Sequence, residues 1–194
     1  YLADQKVDNY ATHKIARMGL ARTFQIPRAL KKMTVIENLM LVPHGQSGEN
    51  IFNSWFNPKK VEEEEEKNYQ KAYETLEFLE LTHLENELAA NLSGGQKKLL
   101  EMGRALMADP DIILLDEPGA GVNPTLMNKI AENILKLKEK GKTILLIEHN
   151  MDLIMNICDR VIVMSDGKHL VEGTPAEIKS DPEVLKAYLG EKTA

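Results

Sequence analysis

Ile112-Ile113-Leu114-Leu115-Asp116-Glu117-Pro118 decides how this chain is read: four aliphatic residues in a row, two adjacent carboxylates, then a proline. A short apolar run bounded by turn signals predicts a strand buried on both faces, as in a parallel sheet. Thr143-Ile144-Leu145-Leu146-Ile147 repeats the pattern. Between the two, Asn123 and Pro124 supply a helix cap and a first-turn residue. Met127, Ile130, Ile134 and Leu137 then fall on one helical stripe that Gly141 ends. Strand, helix, strand of this length implies a right-handed parallel crossover. Open sheets of this kind bind ligands beyond the carboxyl ends of their strands, which is where Asp116, Glu117, Glu148 and His149 fall.

The whole chain sets limits around that unit. Its 194 residues, 43% of them hydrophobic, suffice for a packed core. The aliphatic runs are four residues long, far short of the ~20 needed to span a bilayer, so a membrane role has to come through a partner. The single cysteine, Cys158, rules out an internal disulfide; its neighbours Ile154, Ile157 and Val161 predict a buried thiol in a cytosolic setting. A net charge of -6 with scattered basic residues argues against a nucleic-acid surface.

Upstream, a helical pattern runs from about residue 12 to Gly19, and Ala21 to Gln25 reads as a strand closed by Pro27. Thr34 to Leu41 reads as a helix, Thr34 capping it and Glu37 in capping-box position. Residues 43–58, rich in Pro, Gly, Asn and Ser, read as a loop. The run Glu62 to Glu66 reads as the solvated first turns of an amphipathic helix whose inner positions are Tyr69, Ala72, Leu76 and Leu79. Leu99, Met102 and Leu106 form the inner stripe of a helix ending near Ala108. Downstream, Arg160 to Met164 and Leu170-Val171 predict two strands joined by a turn at Asp166-Gly167, and a short helical tail follows.

Each motif has a chemical reading and a bland one. Asp116, fixed at the rim of a sheet, suits Mg2+ held through water beside nucleotide phosphates; an apolar strand ending in Asp is also common in structural roles. Glu117 suits orientation or deprotonation of an attacking water, because Asn123 already serves as the helix cap. Ser93-Gly94-Gly95-Gln96 places bare amides at a helix start, an anion site or a plain helix beginning. His149 suits donation to a terminal phosphate, or a satisfied place in the core. Gln25, at the end of a strand-like run, carries the weakest signal alone.

Taken in order, Gln25, Leu92-Ser93-Gly94-Gly95-Gln96, Ile112 to Pro118 and His149 resemble the nucleotide-binding subunit of ATP-binding-cassette transporters, over nearly the whole chain. The chain looks most like importer ATPases for branched-chain amino acids, through Ala21-Arg22-Thr23-Phe24-Gln25, Thr34-Val35-Ile36-Glu37-Asn38-Leu39, Ala120-Gly121-Val122-Asn123-Pro124 and Ala187-Tyr188-Leu189-Gly190-Glu191. The resemblance implies an α/β, P-loop NTPase-like parallel sheet with an α-helical subdomain: 1–25 ending the N-terminal part of the ATPase core, 26–108 the helical signature subdomain, and 109–194 the C-terminal part of the core with a hairpin and helix. It implies ATP and Mg2+ as ligands. Ser93, Gly94, Gly95 and Gln96 would contact ATP bound mainly by a second ATPase subunit. Asp116 would hold Mg2+ through water, Glu117 would act as base, and His149 would contact the γ-phosphate. Gln25 would sense the metal and the water and relay closure to the permease through residues 26–91. Asn123 stands where many relatives carry aspartate, and Leu99 replaces an arginine common in the wider superfamily.

The phosphate-binding loop, G-x-x-x-x-G-K-S/T, and the family's first strands have no counterpart here. The chain is therefore expected to be the carboxyl-terminal part of a complete ATPase. Expected partners are a second ATPase subunit, membrane permease subunits and, indirectly, a solute-binding protein, at the cytoplasmic face of the membrane, with no nucleic acid. Two alternatives stand beside this: the ATPase of another transporter, such as one exporting lipopolysaccharide, and a non-hydrolytic partner supplying its signature segment in trans. A chromosome-maintenance ATPase would need long heptads between Gln25 and Ser93, for which too little helix is available.

Overall fold

Three parallel strands organise the larger part of this computed structural model, which describes residues 1–2, 4–23, 27–49 and 51–189. The chain divides into two compact units, 1–147 and 148–194. In the first, α1 (Thr12–Arg17) ends at Gly19, whose φ of 89° suits glycine. There follows β1 (Leu20–Arg22), which begins one residue before the expected Ala21; of the expected run, Phe24 and Gln25 lie outside the described residues.

Thr34 caps α2 (Val35–Met40): its hydroxyl accepts from Glu37 N at 3.3 Å, and Glu37 Oε2 accepts from Thr34 N at 2.7 Å. The Thr34 amide, and then its hydroxyl, hold the Glu37 carboxyl below the usual glutamate range.

The 43–58 stretch is not the loop that its composition predicts. A short 3-10 turn at Ser47–Glu49 is followed by α3 (Ile51–Phe56), and Pro58 opens α4 (Pro58–Phe78). Ile51, Phe52, Trp55 and Phe56 fall on one helical face that stays 72–80% exposed, and Pro58 sits in a first turn, where its missing N–H costs nothing. Glutamates 62, 63, 65 and 66 are exposed as expected, but Glu64 is not simply solvated. Its carboxylate accepts from Ser47 N at 2.7 Å and Ser47 Oγ at 2.8 Å, bonds that hold its pKa down and tie the 3-10 turn to α4.

Ser93 begins α5 (Gly94–Met107) with a second reciprocal capping box. Its buried face is wider than a three-residue stripe: Leu99, Leu100, Met102, Gly103 and Met107 are inside, and Leu106 is half-buried. Helices α2, α4 and α5 share a core whose most enclosed members are Val35, Leu39, Leu76, Leu79 and Leu100.

The sheet runs β1, β2 (Ile112–Asp116), β3 (Thr143–Ile147), all parallel, with Leu20 opposite Ile112 and Asp116 opposite Ile147. Asn123 Oδ1 accepts from Leu126 N at 2.8 Å and starts α6 (Pro124–Glu139), the crossover between β2 and β3. Ile113 and Leu115 are fully enclosed, but β3 is not buried on both faces: Leu145 and Ile147 are 54% and 57% exposed. Along β3 exposed and half-buried residues alternate, so among the described residues one of its faces is open and its unbroken apolar run overstated its burial.

The second unit holds α7 (Met151–Ile157), β4 (Val161–Ser165), β5 (Lys168–Gly173), α8 (Pro175–Ser180) and α9 (Pro182–Leu189). Strands β4 and β5 are antiparallel; Asp166 and Gly167, at φ of 50° and 73°, make the tight turn that the Asp-Gly pair predicts. Val163, Ile178 and Val184 form this unit's core, with Met151 and Met155 against it. Cys158, ending α7, is half-buried rather than fully enclosed. Among the described residues no helix is long and apolar enough to cross a membrane.

Candidate active site

Strand β2, the middle one of the three, delivers Asp116 at its carboxyl end, opposite Ile147 of β3. Thr23 N extends the β1 pairing by donating to Leu114 O at 3.0 Å. Arg22 Nη2 then reaches Asp116 Oδ2 at 3.0 Å, an ion pair with side chains 56% and 27% exposed. Water screens such a pair to roughly 0–1 kcal/mol, so the carboxylate remains available to a stronger cation.

Glu117 follows with φ of 45°, a left-handed conformation uncommon for a non-glycine residue and costing on the order of 1–2 kcal/mol. Its surroundings hold it there: Glu117 N donates to Ile147 O at 2.9 Å, and Glu117 O accepts from Ala120 N at 3.1 Å. Pro118 then turns the chain toward the Asn123 cap, so Glu117 is not itself a cap. Asp116, Glu117 and Pro118 line one cleft with Thr23, Lys98 and Glu101.

At the start of α5 the polar side chains serve each other: Ser93 N donates to Gln96 Oε1 at 2.8 Å, and Gln96 N to Ser93 Oγ at 3.3 Å. The two glycines separate in role. A Cβ on Gly94 would meet nothing within 4 Å, leaving its backbone open to approach, whereas one on Gly95 would fall 2.1 Å from Leu126 Cδ2. Gly95 thus lets the first turn of α6 close against α5, and Gly94 is the open one.

Gln25 lies outside the described residues. Three positions later Arg28 is fastened to α5: its N–H reaches Glu101 Oε2 at 3.4 Å, and its carbonyl accepts from Arg104 Nη1 at 2.9 Å. Arg104 also pairs with the nearly buried Glu101 at 3.3 Å.

Glu148 and His149 belong to the second unit. The buried Glu148 carboxylate accepts from His149 N at 3.1 Å and Asn150 N at 3.4 Å, so it shapes the turn into α7. His149 is no core histidine: its side chain is 70% exposed, with Nδ1 4.0 Å from Glu148 Oε2. The structure therefore unites Asp116 and Glu117 in one cleft and fixes Ser93 to Gln96 at one helix start. Sequence reading missed Arg22 and Lys98 as members of the site, since both act on partners far along the chain.

Among the described residues no group of three or more His, Cys, Asp or Glu could cage a metal. One rim carboxylate beside a second fits Mg2+, which keeps several waters and takes one or two carboxylates plus substrate phosphates. First-turn amides at α5 suit a phosphate oxygen.

Comparison with known proteins gives this arrangement its family. The ABC transporter family model matches residues 1–120, and that of the branched-chain amino acid ATP-binding cassette transporter matches residues 168–194. The probable branched-chain amino acid transport ATP-binding protein LivG of Archaeoglobus fulgidus is 43% identical over 98% of this chain and 73% of its own length. The high-affinity branched-chain amino acid transport ATP-binding protein LivG of Escherichia coli K12 is 39% identical over 98% and 75%. The crystal structure of a nucleotide-free ATP-binding cassette from an ABC transporter superposes with a TM-score of 0.77 at 44% identity, over 96% of this chain and 75% of that one. With the parallel α/β sheet of a P-loop NTPase-like cassette and a family match over more than half its length, the chain belongs to the ABC transporter ATP-binding family.

Proposed function

We propose that this chain is the catalytic and coupling portion of an ATPase that drives uptake of branched-chain amino acids through a membrane permease. It works as one of two cassettes at the cytoplasmic face of the membrane, and a solute-binding protein supplies the permease. The observation that carries the reading is Asp116 and Glu117 side by side in one cleft, Glu117 held in a left-handed conformation. Relatives named for branched-chain amino acid transport support the substrate class.

Asp116 is the residue to hold Mg2+, with Arg22 sharing the carboxylate when the ion is away. When bound, the ion neutralises charge on the phosphates. Glu117 orients the attacking water and accepts its proton, a contribution of ~10² to 10⁴ in rate. The amides of Gly94 and Gly95 meet the terminal phosphate of ATP held mainly by the opposite cassette, and Ser93 and Gln96 keep that turn in shape and complete the contact. His149, exposed on a stem that Glu148 fixes, donates to a γ-phosphate. Gln25 senses the metal and the water, and residues 26–91 relay closure to the permease.

Glu117→Gln in the intact subunit tests this. Turnover is expected to fall by at least ~10²-fold while nucleotide binding survives, and uptake of branched-chain amino acids by cells relying on this subunit should stop. Unchanged turnover would remove Glu117 as the base; lost turnover with undisturbed uptake would remove the substrate class.

A further inference from the structure

We propose that Lys98 is a positioning residue for hydrolysis: a cation on α5 that fixes the backbone of Glu117 and so ties the signature turn to the base within one subunit. The inference rests on Glu117 being the base. Lys98 Nζ donates to Glu117 O and Pro118 O, each at 3.3 Å, and to Ala120 O. An ammonium has three N–H donors, and here three carbonyls of one tight turn converge on it. Converging carbonyl dipoles repel one another, so a cation at their focus is what lets the turn close.

The consequence falls on Glu117 because its conformation is not self-supporting. With φ at 45°, it keeps its place only where both ends of the residue are held. Ile147 O on β3 takes its N–H, while Ala120 N and Lys98 Nζ hold its carbonyl. The first of these anchors belongs to the sheet and the last to α5, the helix that begins at Ser93 and Gly94. Lys98 lies in the second turn of that helix. Any displacement of the Ser93 end as it meets a phosphate is passed through one rigid turn to the carbonyl of Glu117. The simpler role for Lys98, three carbonyls solvating a half-buried ammonium, predicts a loss of stability without a selective loss of turnover.

Lys98→Met keeps the apolar stem and removes the donors; Lys98→Arg restores donors. Both are measured in the intact subunit assembled with its partner cassette and permease, with Glu117→Gln as reference. Lys98→Met is expected to lower kcat at least ~10-fold with the KM for ATP within ~3-fold, and Lys98→Arg to recover at least about half of kcat, the signature of an interaction that matters in the transition state. Amide exchange at Ala120, whose N–H bonds Glu117 O, should speed up in Lys98→Met while exchange inside α5 stays unchanged. Unchanged kcat, unchanged exchange at Ala120, or loss of fold in both variants each overturns the role. If Glu117→Gln keeps full turnover, the assignment of the base fails by itself, and exchange at Ala120 still decides whether Lys98 holds the turn.

Discussion

Asn133 sits in the middle of α6 with no exposure to solvent, and among the described residues neither its Oδ1 nor its Nδ2 has a hydrogen-bond partner. A buried amide left unsatisfied costs ~1–3 kcal/mol, so Asn133→Leu, which fits the flanking Ile130, Ile134 and Leu137, should stabilise the protein by about that amount. Denaturant unfolding checks this, and a loss of stability would show that the amide is satisfied. Asn133 was not legible from the sequence, because a polar residue beside a helical stripe reads as a solvated position. The caps at Thr34 and Asn123 and the Asp166-Gly167 turn were legible, since their chemistry is complete within a few residues. Arg22, Lys98 and Arg28 were not: each acquires its partner only when distant segments meet.

Between elements, packing tolerances decide. Gly103 lies inside α5, where glycine is a poor helix former, and the reason is space. A Cβ there would come within 2.8 Å of Leu79 Cδ1 and 3.1 Å of Leu39 Cδ2, from α4's end and α2. Overpacking costs roughly 1–3 kcal/mol against the ~0.5–1 kcal/mol that alanine gains in a helix. Gly103→Ala should therefore lose on the order of 1 kcal/mol, and adding Leu79→Val should restore part of it; a gain in the unfolding midpoint would contradict the close approach. The same scale explains two misreadings. Helix α3 hid behind the turn-forming residues around it, although Ile51, Phe52, Trp55 and Phe56 kept helical spacing. Strand β3 read as buried on both faces because an apolar run does not say whether each face is covered.

Across the whole molecule, the crossover from β2 through α6 to β3 was legible because it is continuous in sequence. The pairing of β1 with β2 was not, since its partners come from opposite ends of a long helical stretch; Thr23 and Leu114 are 91 residues apart. That separation also sets an order of events. Closing so long a loop costs entropy before any strand contact repays it, whereas α4 and α5 meet over a short connection and the β4–β5 hairpin closes over two residues. Refolding should thus begin at both ends of the problem and leave its centre for last. In pulsed hydrogen exchange, amides of α4 and α5 should be protected before Thr23 N and Ile112 N, whose acceptors are Leu114 O and Gly19 O. Simultaneous protection would contradict this order. The cleft around Asp116 and Glu117 depends on that last pairing, so the region proposed to carry the chemistry is the final part of the first unit to exist.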